Sequence, residues 1–115
     1  MLTVDGLKAW GADTAQGISR CMGNEGFYLG LVPKVLEDRN FDNLNTAIGA
    51  HDLDAAFAAA HGLKGMLGNL ALTPIYEPVV EITELLRVRT DTDYAPYLQK
   101  ITEKKEELKG MVSEQ

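Results

Sequence analysis

His61, Lys64 and Gly65 stand together in the stretch His61-Gly62-Leu63-Lys64-Gly65, where an imidazole, an ammonium and bare backbone lie side by side. A neutral imidazole is a competent nucleophile at physiological pH. An ammonium three residues further along a helix shares the same surface, where it offsets the charge of an anion attached to that imidazole. A phosphoryl group fits that description. Gly62, Gly65 and Gly68 recur through the same segment, and each costs roughly 0.8–1.0 kcal/mol relative to alanine inside a helix. A purely structural helix would gain by losing them. The helical repeat stacks Gly65 and Gly68 beside the imidazole and leaves clearance there, so both are candidate partner-binding positions and something bulky is expected to approach His61.

The element that must position these groups is readable from its apolar stripe. Between Asp52 and Ala71, the residues Leu53, Ala56, Ala60, Leu63, Leu67 and Leu70 recur at steps of three and four, the pattern of one buried helical face. At about 100° per residue, His61 points roughly 130° away from the centre of that stripe and Gly65 nearly opposite it. His61 is therefore expected near the middle of an exposed helix face, with Asp52 as N-cap and the helix running to about Ala71.

The rest of the chain reads as helices joined by short turns, with no strand signal and no internal repeat. A first helix is expected over Val4 to Trp10, stopped by Gly11, and a second from Thr14 to about Met22, capped by Asp13 and stopped by Gly23. Asn24 is read as the N-cap of a third, reaching about Arg39 with Phe27, Leu31, Val35 and Leu36 on one face and a kink at Pro33. A shorter helix over Phe41 to Gly49 presents Leu44 and Ile48. After the motif helix, Thr73 as N-cap and Pro74 at the first helical position open a helix that buries Ile75, Val79, Ile82 and Leu86. Arg89 to Asp93 is a polar turn, and Tyr94, Leu98, Ile101 and Leu108 mark a last helix to about Met111. Short connections imply antiparallel neighbours. The expected architecture is all-α, an antiparallel four-helix bundle with additional short N-terminal helices, forming a single domain over residues 1–115.

The motif resembles that of the histidine-containing phosphotransfer (HPt) domains, whose hallmark is His-x-x-Lys-Gly on a helix of a small antiparallel bundle. Here it is His61-Gly-Leu-Lys64-Gly65, preceded by Ala50-His51-Asp52 and an alanine-rich run, and followed by Gly65-Met-Leu-Gly68-Asn69. The resemblance is strong from Asp52 to about Arg87 and is carried by pattern elsewhere. Pro33 and Pro78 inside expected helices, and Leu70-Ala-Leu72 where small residues are common, depart from it. The resemblance implies a stand-alone phosphotransfer protein in a two-component phosphorelay. His61 would be the phosphoacceptor and Lys64 the stabilising charge. Response-regulator receiver domains and a hybrid histidine kinase would be the partners. It implies no cofactor of the carrier's own, with magnesium supplied by the receiver domain. Alternatives in the same family are the phosphoacceptor domain of a chemotaxis-type histidine kinase system and a receiver-binding module without phosphotransfer.

Composition narrows the remaining classes. Seventeen acidic against eleven basic residues give a net charge of −6, which argues against a nucleic-acid surface, since that needs clustered Lys and Arg. No apolar run is long enough to span a bilayer, and the first residues carry neither a basic start nor an apolar signal core, so a cytoplasmic location is expected. No Gly-rich nucleotide loop is present, so the chain is expected to be a phosphoryl carrier without a kinase site of its own. Cys21 stands alone and is read as a small buried hydrophobe. His51 is read as a solvated turn residue, and no ligand set at recognisable spacing points to a metal. Asn69 is left open between partner contact and local backbone bonding. Trp10 and Phe27 are read as core or core-edge residues, with partner contact as the alternative. The charged outer faces of the last helices suggest a monomer, with Met66 and the N-terminal helices as the alternative seat of association.

Overall fold

The computed structural model describes residues 2–113, which are helical or in tight turns. Three short helices come first, α1 (Val4–Trp10), α2 (Thr14–Arg20) and α3 (Glu25–Leu31), followed by a 3-10 segment (Val32–Glu37). Four longer ones follow, α4 (Asn40–Gly49), α5 (Leu53–Asn69), α6 (Thr73–Arg87) and α7 (Ala95–Ser113). Helix α4 packs on α5, α5 on α6 and α6 on α7. Helix α7 closes on α4, where the Lys105 ammonium sits 4.7 Å from the centroid of the Phe41 ring. This is the expected all-α bundle, with the short helices added at its N-terminal side.

The core is built by the anticipated periodicities. Ala56, Ala60, Leu63 and Leu67 of α5 meet Ile75, Val79, Ile82 and Leu86 of α6, all fully buried. Ala59 joins the α5 stripe and widens it, while Leu53 is only partly buried. Asp52 caps α5 by accepting a hydrogen bond from the Ala55 N–H at 3.1 Å, and Asp13 and Asn24 cap α2 and α3 in the same way, each satisfying one of the donors a helix start leaves free. Pro78 lies inside α6 without interrupting it. Pro78 forfeits one backbone bond there and is itself buried.

The segment after Asn24 differs from the sequence expectation of one kinked helix to Arg39. Pro33 has no N–H to return to the preceding turn, so the α-helix ends at Leu31 and the chain tightens into the 3-10 segment. A 3-10 turn advances side chains by 120° rather than 100°, and the buried face changes with it. Tyr28, Val32 and Val35 are buried, Leu31 and Leu36 are partly buried, and Phe27 is 56% exposed. The start of α6 is also shifted by one residue, with Leu72 as N-cap and Thr73 already helical.

Helix ends explain His51. Four helices finish with a non-glycine residue in the left-handed region, Met22, His51, Ala71 and Arg89, with φ between 53° and 60°. After α4, the Asp52 N–H donates to the Ala47 carbonyl at 2.8 Å and the His51 N–H to the Ile48 carbonyl at 3.0 Å. The same pair of backbone bonds recurs after α2, α5 and α6, the Schellman arrangement that satisfies terminal carbonyls. His51 is thus an exposed turn residue.

Candidate functional site

Helix α5 carries the motif. Its apolar stripe is held on both sides by α4 and α6, which leaves His61, Gly62 and Gly65 exposed and Lys64 half-buried. The imidazole does not stand alone. It stacks on Phe57, one turn earlier, with ring centroids 5.7 Å apart and planes inclined by 22°. Two guanidinium groups from the end of α6 lie over the same phenyl ring, Arg87 at 5.2 Å and Arg89 at 5.1 Å from its centroid. Such contacts fix the ring and place positive charge beside it.

Carboxylates hold this cationic group in place. The Arg89 Nε donates to Asp54 at 2.7 Å and its Nη1 to the Leu86 carbonyl at 2.6 Å, so Arg89 ties the last turn of α6 to the first turn of α5. Arg87 donates to Glu84 at 3.3–3.4 Å. Lys64 faces the same Glu84 carboxylate, Nζ to Oε2 3.8 Å. The Arg87 guanidinium, helped by Lys64, holds the Glu84 carboxyl below the usual carboxylate range. Three cations and two carboxylates thus gather about Phe57, on which His61 stacks, and on the adjoining α5–α6 face, a local excess of positive charge in a chain of net charge −6. Such a surface favours an anion. Among the described residues, no group of three or more His, Cys, Asp or Glu gathers as a metal site would require.

The three glycines turn out unlike one another. A Cβ at Gly65 would meet nothing within 4 Å, so the approach to His61 is open on that side. A Cβ at Gly62 would fall 2.7 Å from the Asn40 amide of α4. At Gly68 it would fall 2.9 Å from the Tyr76 ring of α6, so the space expected beside the imidazole at that position is occupied by the chain's own tyrosine. The Gly68 carbonyl also accepts a hydrogen bond from the Arg20 guanidinium. The reading of Gly68 as clearance for a partner is corrected accordingly, because helix packing requires a small residue there. Asn69 is exposed, and with Leu31, Lys34, Val35, Met66 and Leu70 it lines a shallow groove of about 240 Å³ beside the motif.

Beyond that groove the C-terminal end of α5 is closed by the short helices. The Tyr28 hydroxyl donates to the Leu70 carbonyl at 3.0 Å and the Asp13 N–H to the Ala71 carbonyl at 3.0 Å. Burial, with Cys21 and Asp13 nearby, pushes the Tyr28 phenol up to about 12. Trp10, by contrast, is only partly buried and donates its indole N–H to Glu107 at 2.8 Å across the bundle.

Sequence reasoning singled out His61, Lys64 and Gly65, and the fold brings these into one exposed patch. It missed Phe57, Glu84, Arg87 and Arg89. Phe57 was findable, since it precedes His61 by one helical turn. The other three lie on and just beyond α6, and their approach is set by how α5 and α6 pack.

No curated protein and no solved structure matches the chain. The family model of the Hpt domain matches residues 37–114, from the end of the 3-10 segment through α7, and includes the whole of the His61 surface. No helix among the described residues is long and apolar enough to cross a membrane. With more than half of its length matched and a helical bundle presenting the histidine motif, the chain belongs to the Hpt domain family, phosphocarriers that act through histidine phosphotransfer with receiver domains and kinases in two-component phosphorelays.

Proposed function

We propose that this chain acts as a stand-alone monomeric carrier, taking a phosphoryl group from an aspartyl phosphate of a receiver domain onto His61 and delivering it to the aspartate of another. The observation that carries this reading is the exposed imidazole on α5 with open space at Gly65, one turn on, and the half-buried Lys64 on the same helix. In the forward step the imidazole lone pair forms an N–P bond as the P–O bond of the acyl phosphate breaks, and the aspartate carboxylate leaves with that bond's electron pair. Return to a second aspartate reverses the sequence. Such a transfer needs in-line positioning and charge stabilisation rather than a protein-borne cofactor. His61 is the nucleophile, Lys64 the charge beside the transferred group, and Gly65 the clearance for the receiver, which supplies the magnesium. A hybrid histidine kinase is the upstream source, and the exchange takes place in the cytoplasm.

The decisive experiment incubates the purified chain with a receiver domain carrying labelled aspartyl phosphate. Label should pass to the chain, be acid-labile and alkali-stable, and map to His61. His61→Gln should abolish it. Label that persists in that variant, or that maps to His51, rejects the assigned site. Receiver binding without transfer would identify an interaction module. Labelling by a kinase catalytic domain and ATP, with none from receivers, would identify the acceptor of a chemotaxis-type kinase.

A further inference from the structure

Five residues form a closed circuit around the candidate phosphoacceptor. His61 stacks on Phe57, Arg87 lies over Phe57, Arg87 pairs with Glu84, and Glu84 pairs with Lys64, which returns to α5 three residues after His61. Glu84 is the carboxylate of the circuit and faces two of its cations. Its Oε2 accepts from Arg87 at 3.3 Å and stands 3.8 Å from the Lys64 Nζ. The two pairs differ in quality. Arg87 makes several directed contacts with the carboxylate, whereas the Lys64 pair is long, with side chains 30% and 54% exposed.

We propose that Glu84 is a positioning residue that holds the Lys64 ammonium while His61 is bare and yields it to the phosphoryl group when one arrives at the imidazole. The inference rests on His61 being the phosphoacceptor. A phosphoryl group carries more negative charge than a carboxylate and offers three acceptor oxygens, so it competes well for an ammonium on a flexible stem. The exchange leaves Glu84 paired, because Arg87 remains. Without an anion, the same carboxylate neutralises Lys64 and lowers the pull of the site on anionic donors. Glu84 reaches Lys64 from the neighbouring helix, so the device depends on how α5 and α6 pack.

A small chemical donor tests this without a partner protein. Phosphoramidate transfers its phosphoryl group to imidazole. The ring lone pair forms the N–P bond, the donor's P–N bond breaks, and ammonia leaves with that pair. The other ring nitrogen then releases its proton to water. Phosphohistidine at His61 is followed over time in the unmodified chain, in Glu84→Gln, in Lys64→Met and in the double variant. Glu84 is exposed, so the fold should survive, and circular dichroism checks it. Releasing an exposed ion pair should speed labelling by about 1.4- to 5-fold in Glu84→Gln, and the same substitution should change nothing in the Lys64→Met background. An unchanged rate in Glu84→Gln overturns the inference, as does an equal acceleration with and without Lys64, which would mean general charge repulsion. Failure of the unmodified chain to take label at His61 instead overturns the phosphoacceptor reading itself, and the inference with it.

Discussion

The middle of α5 and its last turn are two surfaces of one helix, both rich in small residues, and the fold treats them in opposite ways. Around Gly65 nothing from the rest of the chain approaches, and the neighbouring imidazole faces outward. Around Gly68 the Tyr76 ring, the Arg20 guanidinium, the Tyr28 hydroxyl and the backbone of Asp13 close in on the terminal carbonyls of the helix. Glycine serves absence in one place and presence in the other. At Gly65 the missing side chain keeps a surface free for something outside the chain. At Gly68 it makes room for the Tyr76 ring, and at Gly17 it lets the Tyr28 ring and the Leu70 carbonyl come close. A helix glycine has the same intrinsic cost in both settings, so its meaning lies in what comes near it.

That contrast can be broken at the open surface first. His61→Gln should remove all transfer while leaving stability within about 0.5 kcal/mol, since an exposed side chain contributes little to the fold. Thermal unfolding beside the labelling assay would show the separation, and a large loss of stability would mean the middle of α5 is also a structural surface. The next largest effect is expected at Gly65. Gly65→Leu should slow transfer from a receiver on the order of 10²-fold by displacing the docked partner, with no fall in melting temperature. Gly65→Ala should stabilise the chain by up to about 1 kcal/mol.

The closed end should respond in stability. Gly17→Ala would place a Cβ 2.4 Å from the Tyr28 ring and 2.7 Å from the Leu70 carbonyl. A loss of about 1–3 kcal/mol is expected from such overpacking, read from denaturant midpoints. A neutral Gly17→Ala would show that the short helices are only loosely seated. The smallest effect is expected for Tyr28→Phe, which removes the bond to the Leu70 carbonyl at a cost of about 1 kcal/mol. The phenol, raised by burial to about 12, is neutral in both states below the unfolded value near 10. Between roughly pH 10 and 12 the unfolded phenol ionises and the folded one does not, so stability falls as pH rises through that window. The decline with pH should be shallower in Tyr28→Phe.

Much of this was legible before any coordinates. Apart from the half-buried Leu53, the periodic apolar residues read on α5 and α6 fall in the core, because burial on a helix follows from a 3.6-residue repeat that sequence displays directly. Caps at Asp13, Asn24 and Asp52 were readable because capping is local chemistry between a side chain and a backbone N–H three residues on. The helix after Asn24 was misjudged in extent, since Pro33 ends the α-helix at Leu31, and in face, since Tyr28 rather than Phe27 is buried. Gly23 and the turn at His51 were read as stops, but the left-handed backbone at Ala71 and Arg89 was not anticipated, because no glycine marks those two turns.

The sequence by itself determined the all-α class, the helix carrying His61, the outward direction of that imidazole, and the company of Lys64 and Gly65, all consequences of spacing along one helix. Only the tertiary structure decided which glycine is free and which is filled, that Glu84 and Arg87 complete the surroundings of His61, and that the short helices seal the end of α5. Those outcomes depend on where residues far apart in the chain meet, and helix periodicity specifies a buried face without specifying which side chain of another helix will stand opposite it.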